Sequence, residues 1–404
     1  MITTAEAAGP TGRLLPGLEP FDEAMLALLE KWQIPGGALT VARDGQLMLA
    51  RGYGFANRER REPVTSTSPF RLGSVNKTMT AVAVLQLQEA GRLGLDDKVL
   101  PILGPLGPRA DRIQDPRVHA ITVRHLLQHT GGFDRDRSGD IMFPPHAVEA
   151  ARRQDAPMPP TCEAILRDAL ESRLDFEPGS RYAYSNVGYC ILGRVIERLS
   201  GERYEDYVRA RILAPIGAQA MRPGRTLTAF PGEVTYYGYP GEPMVEPVPG
   251  LGLGTRVDRA YGGYWLESFD ALGQYIGAPL DFLRFMLAID GRRGPALLRP
   301  DTVRLMRERP KLAGNDNDAL FYGLGIQVRQ TPGGDNWFHG GSQTGVQALA
   351  VRYASGNTWV VAFNMRPRDR NGFRGELERA LAASAQRVAR NWPPGDLWPE
   401  FGGR

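Results

Sequence analysis

β-like runs stand at both ends of this chain, and helical patterns fill its middle. Near the start, Ala38–Arg43 and Gln46–Gly52 are rich in strand formers and are joined by Asp44-Gly45, a short hairpin signal. Toward the other end, Tyr322–Arg329, Trp337–His339, Val346–Tyr353 and Thr358–Asn364 share that character, with Ser355-Gly356-Asn357 turning the last pair. Strands so far apart in sequence can share a core only if tertiary packing brings them side by side. The economical result is one antiparallel sheet built from both ends and covered by helices at Phe21–Trp32 and Phe373–Ala389. The expected fold class is α+β: that flanked sheet plus a mostly helical domain. The expected division is 18–69 with 301–392 for the sheet, 70–300 for the helical part, and arms at 1–17 and 393–404. Within the helical part, 214–279 reads as an irregular wall rich in Gly, Pro and Tyr. The cleft between sheet and helices is the natural place for a site.

Arg71–Leu93 carries the first chemical signal. Ser74 follows Gly73 and stands three residues before Lys77, with Met79, Val82, Leu85 and Leu87 recurring at roughly helical spacing beyond it. On a helix, positions i and i+3 share a face, so the Lys77 amine can stand over the Ser74 hydroxyl. A serine in a first turn also meets free backbone N–H groups that favour developing negative charge. A surface helix with a Ser cap and a solvated Lys gives the same four letters, so the rest of the chain decides.

Two further clusters bear on that choice. Tyr184-Ser185-Asn186 lies between a Pro-Gly turn and a helix, where a phenol can relay protons and an amide can orient Lys77. The alternative is a core Tyr with Asn186 capping the helix from Val187 onward. His339-Gly340-Gly341-Ser342 ends a β-like run, and its glycines would let a strand edge approach a substrate and offer an N–H.

Taken together, Ser74-Val75-Asn76-Lys77, Tyr184-Ser185-Asn186 and His339-Gly340-Gly341 resemble the three motifs of the serine β-lactamase and penicillin-binding-protein superfamily. The likeness is to its class C branch, which also holds DD-carboxypeptidases, D-aminopeptidases and family VIII esterases. Gly94-Leu95-Asp96-Asp97, Leu127-Gln128-His129-Thr130-Gly131-Gly132 and Pro178-Gly179 look like the family's supporting stretches. The resemblance implies a β-lactamase/transpeptidase-like fold and an acyl-enzyme on Ser74, with Lys77 and Tyr184 moving its proton. It implies that Asn186 holds Lys77 and substrate, and that the N–H groups of Ser74 and Ser342 form the oxyanion hole. His339 would line the pocket beside Gly340 and Gly341 and donate toward Tyr184 or the substrate. Where β-lactamases carry a third-motif lysine this chain has His339, which turns the expectation from a dedicated β-lactamase toward a carboxylesterase on small esters. A D-amino-acid peptidase or amidase, a DD-carboxypeptidase, a weak β-lactamase, a biosynthetic acyltransferase and a non-catalytic binding module are the alternatives. Tyr236, Tyr237, Tyr239, Trp265, Phe269 and Tyr275 are candidates for an apolar pocket wall, or equally for core.

Composition narrows the partners. Acids and bases are mixed along the 404 residues and the net charge is +4, with no basic stripe carrying interleaved aromatics, so nucleic-acid binding has no support. Of the basic residues only four are Lys and 45 are Arg, which sets Lys77 apart as an amine able to lose its proton. No metal or other cofactor is expected, because His125 and His129 lack a following Glu and a third ligand, and His119 and His146 stand alone. Cys162 and Cys190 are expected to be two buried free thiols rather than a bridge. No span suits a membrane and no leader pattern opens the chain, so a cytoplasmic protein, or a mature exported one, is expected.

Overall fold

The computed structural model describes residues 9–312, 319–389 and 391–402. The start of the expected N-terminal arm, 1–8, lies outside them, as do 403 and 404. In chain order the strands are β1 (Thr11–Leu14), β2 (Gly36–Arg43), β3 (Gln46–Asn57), β4 (Glu62–Pro63), β5 (Phe70–Arg71), β6 (Arg222–Pro223), β7 (Tyr275–Gly277), β8 (Leu320–Tyr322), β9 (Gln327–Thr331), β10 (Gly334–Gln343), β11 (Val346–Arg352) and β12 (Asn357–Phe363).

The large sheet runs β1-β3-β2-β12-β11-β10-β9-β8, every neighbouring pair antiparallel, with β4 alongside β3. The two ends of the chain meet where β2 pairs with β12, Val41 opposite Trp359. Asp44 and Gly45 turn β2 into β3 with φ of 48° and 85°, the left-handed pair that a two-residue hairpin requires. Alternate residues of each strand serve different cores. Leu39, Val41, Trp359, Val361 and Phe363 pack against the terminal helices Glu19–Trp32 and Arg370–Val388. On the opposite face Ala38, Ala42, Ala348, Ala350 and Ala362 are small, which lets the helical part lie close.

The helix Lys77–Glu89 is buried on nearly all sides and forms the axis of that helical part. Beside it run the helix Asn186–Ser200 and, against the sheet, Pro279–Ala288. A small second sheet, β5-β7-β6, ties the chain just before Ser74 to the chain just after Leu272.

Two expectations are corrected. Residues 11–14 of the supposed arm form β1 on the edge of the large sheet, and Trp398 near the other terminus is fully buried, donating from Nε1 to the Gly45 carbonyl. Cys162 and Cys190 are joined in a disulfide, not free. Their separation of 28 residues gave no hint, because it is the packing of the helices Cys162–Glu171 and Asn186–Ser200 that sets their Cα atoms 6.0 Å apart. Among the described residues no helix is long and apolar enough to cross a membrane.

Candidate active site

Gly73–Asn76 forms a 3-10 turn, and the α-helix begins only at Lys77. In a 3-10 turn, residues three apart eclipse one another, so Lys77 stands directly over Ser74. Lys77 Nζ lies 3.1 Å from Ser74 Oγ, and it donates to Asn186 Oδ1 at 2.7 Å and to the Leu272 carbonyl at 2.9 Å. The amine is 0% exposed. Burial drives its pKa well below the ordinary lysine value; Asp140 opposes the shift and Arg135 adds to it. A neutral amine has two N–H groups and one lone pair. Asn186 and Leu272 take the two hydrogens, which leaves the lone pair for the Ser74 hydroxyl.

The Tyr184 side chain faces Ser74, which lowers its pKa against the effect of burial, and Lys77 Nζ sits 5.1 Å from the centre of the Tyr184 ring. Burial pushes the Tyr184 pKa up, so this phenol keeps its proton at neutral pH. His129 holds the loop that carries it: its carbonyl accepts from Ala183 N at 2.9 Å and its Nδ1 from Ser185 N at 3.1 Å. Ser185, not Asn186, caps the following helix, with Oγ accepting from Gly188 N. Asn186 is thereby free to face Lys77, and Asp140 accepts from its Nδ2 at 2.6 Å.

β10 supplies the other wall. Gln343 and Val346 close the two-residue turn Thr344-Gly345 as a hydrogen-bonded pair. By alternation the Ser342 N–H then points away from β11, toward the edge where β9 has already ended at the Phe338–Gln327 pair. That open edge faces the turn that carries Ser74. A Cβ on Gly341 would stand 2.0 Å from the Leu72 carbonyl oxygen, and one on Gly73 would stand 3.2 Å from Ser342 N. Gly341 is what lets the two backbones close.

A cleft of about 300 Å³ opens over Ser74, with Asn186, Leu272 and Ser342 in its walls. Its shape and reactive groups are those of a serine acyl-transfer site. A family model described as Beta-lactamase matches residues 21–384. The chain belongs to the beta-lactamase family. It is therefore a serine hydrolase of the kind that works through an acyl-enzyme. It is 25% identical over 365 residues to penicillin-binding protein 4* of Bacillus subtilis (strain 168), covering 89% of this chain and 73% of that one. It is 32% identical over 231 residues to esterase EstB of Burkholderia gladioli, covering 56% of this chain and 55% of that one. The solved structure of EstCE1, described as a hydrolase with promiscuous acyltransferase activity, shares the fold. Its TM-score is 0.69 at 23% identity, over 90% of this chain and 97% of that one.

Within this beta-lactamase fold, Ser74, Lys77, Tyr184, Asn186 and Ser342 come together as the sequence led us to expect, and other residues do not. His339 is buried behind the site rather than lining the cleft. Its Nδ1 donates to the Gly340 carbonyl at 2.8 Å, which leaves Nε2 to accept from the Tyr322 hydroxyl at 2.8 Å. Both nitrogens are spent, so it donates neither to Tyr184 nor to a substrate. Burial, with Lys77 nearby, pushes its pKa down to about 3 and keeps the ring neutral. Gly340 and Gly341 likewise shape the strand without lining the cleft.

The expected aromatic wall is also corrected: none of its six members lines the cleft. Tyr236 and Tyr275 are core, the former accepting from Arg71 N and donating to Glu233. Phe269 stacks behind Tyr264 at 5.6 Å, and Tyr237 turns to Glu59. Tyr239 and Trp265 are half-buried elsewhere. Arg71, fully buried, holds part of this segment: its guanidinium donates to the Ala260, Arg225 and Thr226 carbonyls and lies over the Tyr236 and Tyr261 rings. The cleft is lined instead by Phe143, Tyr264 and several charged residues that the sequence did not single out, Asp140 and Arg135 among them.

Proposed function

We propose that this protein is a carboxylesterase on small esters, with Ser74 as nucleophile and Lys77 as its base. The observation that carries the reading is the convergence of the buried Lys77 amine and the Tyr184 hydroxyl on Ser74 Oγ. The opposite directions of their pKa shifts divide the labour: Lys77 is poised to accept a proton and Tyr184 to pass one on. Ser74 Oγ attacks the ester carbonyl as its proton moves to Lys77 Nζ. The oxyanion is held by the Ser74 and Ser342 N–H groups. Tyr184 delivers its proton to the departing alcohol and regains one from the Lys77 ammonium, so the amine is neutral again when water attacks the acyl-enzyme and the same steps run in reverse to free the acid.

The ester assignment rests on the third motif. His339 places no cation in the cleft where a β-lactamase has its lysine. Two measurements test the reading. A fluorophosphonate is expected to leave a mass adduct on Ser74, and folded protein that takes none at high reagent would be a binding module. In a rate panel, a short-chain p-nitrophenyl ester is expected to turn over orders of magnitude faster than a chromogenic cephalosporin or a D-alanine amide. Equal or faster amide turnover would replace the esterase reading with a peptidase.

A further inference from the structure

Lys77 is oriented from two places far apart in sequence. Asn186, which takes one of its hydrogens, opens the helix Asn186–Ser200. The Leu272 carbonyl, which takes the other, lies in a turn of the 214–279 segment, where Leu272 N donates to the Phe269 carbonyl. The lone pair points at Ser74 only while both acceptors keep their places. The spacing between that helix and that turn therefore enters the chemistry.

One buried side chain spans the gap. Arg194, further along the same helix as Asn186, is 4% exposed. Its Nη2 donates to Asp270 Oδ2, its Nη1 to Glu163 Oε1 at 2.6 Å, and its Nε lies 2.8 Å from Glu197 Oε2. The other oxygen of Asp270 accepts from Ala271 N at 2.7 Å. The Ala271 carbonyl accepts from Thr80 Oγ1 at 2.6 Å, on the helix of Lys77 itself. Gly193 lets the two elements come this near, for a Cβ there would stand 2.7 Å from Ala271 Cβ. Leu272 is the next residue, so the link from Arg194 through Asp270 aims its carbonyl.

A buried guanidinium among three carboxylates is a costly way to fill a core, where an apolar side chain of similar volume often packs as well. What the planar fork adds is direction. Its Glu163 arm reaches the helix Cys162–Glu171, which the Cys162–Cys190 bridge already ties to the helix of Arg194. The Asp270 arm has no such duplicate.

We propose that Arg194 is a positioning residue for the base: through Asp270 it sets the Leu272 carbonyl and so the direction of the Lys77 lone pair. This rests on the hydrolase reading and deepens it.

Asp270→Asn and Arg194→Gln break the link, whereas Glu163→Gln disturbs the same cluster on the side that the disulfide holds. In Asp270→Asn the new amide oxygen can still accept from Ala271 N, but its NH2 then meets the guanidinium. On a p-nitrophenyl ester both link variants are expected to lose about tenfold or more in kcat, with KM within about twofold. Glu163→Gln, equally folded by circular dichroism, is expected to stay within about twofold in both constants. A second readout needs no turnover. With only four lysines in the chain, 13Cε-lysine labelling isolates Lys77 as the signal lost in Lys77→Arg. A carbonyl aimed at the amine favours its ammonium form, so both link variants are expected to move the Lys77 titration midpoint to lower pH, and Glu163→Gln to leave it in place. The charges that act on Lys77 directly, Asp140 and Arg135, and the rings of Tyr184, Tyr189, His129 and His339 near it are the same in all three variants. An unmoved midpoint in a folded link variant, kcat retained there, or a Glu163→Gln variant that matches the other two overturns the proposal. Should Arg194→Gln fail to fold, Asp270→Asn decides on the same criteria. Failure of wild-type Ser74 to take a fluorophosphonate counts against the hydrolase reading, while the midpoint still tests the link.

Discussion

Asp140 Oδ2 accepts a hydrogen bond from Asn186 Nδ2 at 2.6 Å, and this contact decides which end of the Asn186 amide faces Lys77. A carboxylate accepts only, so the amide must turn its NH2 to Asp140 and its oxygen to the amine. The same carboxylate raises the Lys77 pKa while Arg135 lowers it. Removing the negative charge therefore weakens the ammonium form, and the neutral base persists to lower pH. Asp140→Asn is expected to move the rising limb of the kcat/KM profile to lower pH. Arg135→Gln should move it the other way. A limb that stays fixed in both variants would mean that it does not report Lys77.

Lys77→Arg replaces the amine with a guanidinium that cannot accept a proton near neutral pH. The expected loss in kcat/KM is about 100-fold or more. Retention of more than about a tenth of the rate would exclude general-base work by this residue.

The two glycines of the third motif should differ sharply. A Cβ on Gly341 meets the Leu72 carbonyl oxygen at 2.0 Å, backbone that cannot step aside. One on Gly340 meets Arg374 Nη1 at 2.9 Å, the end of a flexible side chain. Gly341→Ala is expected to cost about 1–3 kcal/mol in urea unfolding and most of the turnover, whereas Gly340→Ala should cost under about 1 kcal/mol. Similar effects of the two changes would mean that the approach of β10 to the nucleophile turn does not set the activity.

The Cys162–Cys190 bridge joins the helix Cys162–Glu171 to the helix whose first residue is Asn186. For a link spanning 28 residues, chain entropy gives roughly 3–4 kcal/mol. Reduction, or Cys162→Ser with Cys190→Ser, is expected to lower the unfolding free energy by an amount of that order. Thiol titration of unreduced, denatured protein is expected to find no free cysteine; two reactive thiols would refute the bridge.

The grouping of side chains around Ser74 was legible because it depends on local spacing. Ser74 and Lys77 meet through one turn of backbone, and Tyr184 and Asn186 flank a cap, so their relation survives in the linear text. The surroundings were not legible. Asp140 and Arg135 come from a short irregular stretch whose alternating charges look like any solvated surface. Arg366 and Arg370 stand in Met365-Arg366-Pro367-Arg368-Asp369-Arg370, where nothing local separates the two that line the cleft from Arg368. The aromatic wall failed for a related reason: density of rings signals burial, and Tyr236 packs on the buried Arg71 while Phe269 and Tyr275 are core. The disulfide needed the packing of two helices that sequence reads separately.

The large sheet also leaves one seat empty, since β9 stops pairing with β10 at Phe338. Were β9 to continue for a few residues more, the Ser342 amide would become an ordinary rung of the ladder. Such a protein would gain a hydrogen bond and lose the open amide that the proposed acyl transfer uses, so the incomplete strand is where that proposal has stability give way to reactivity.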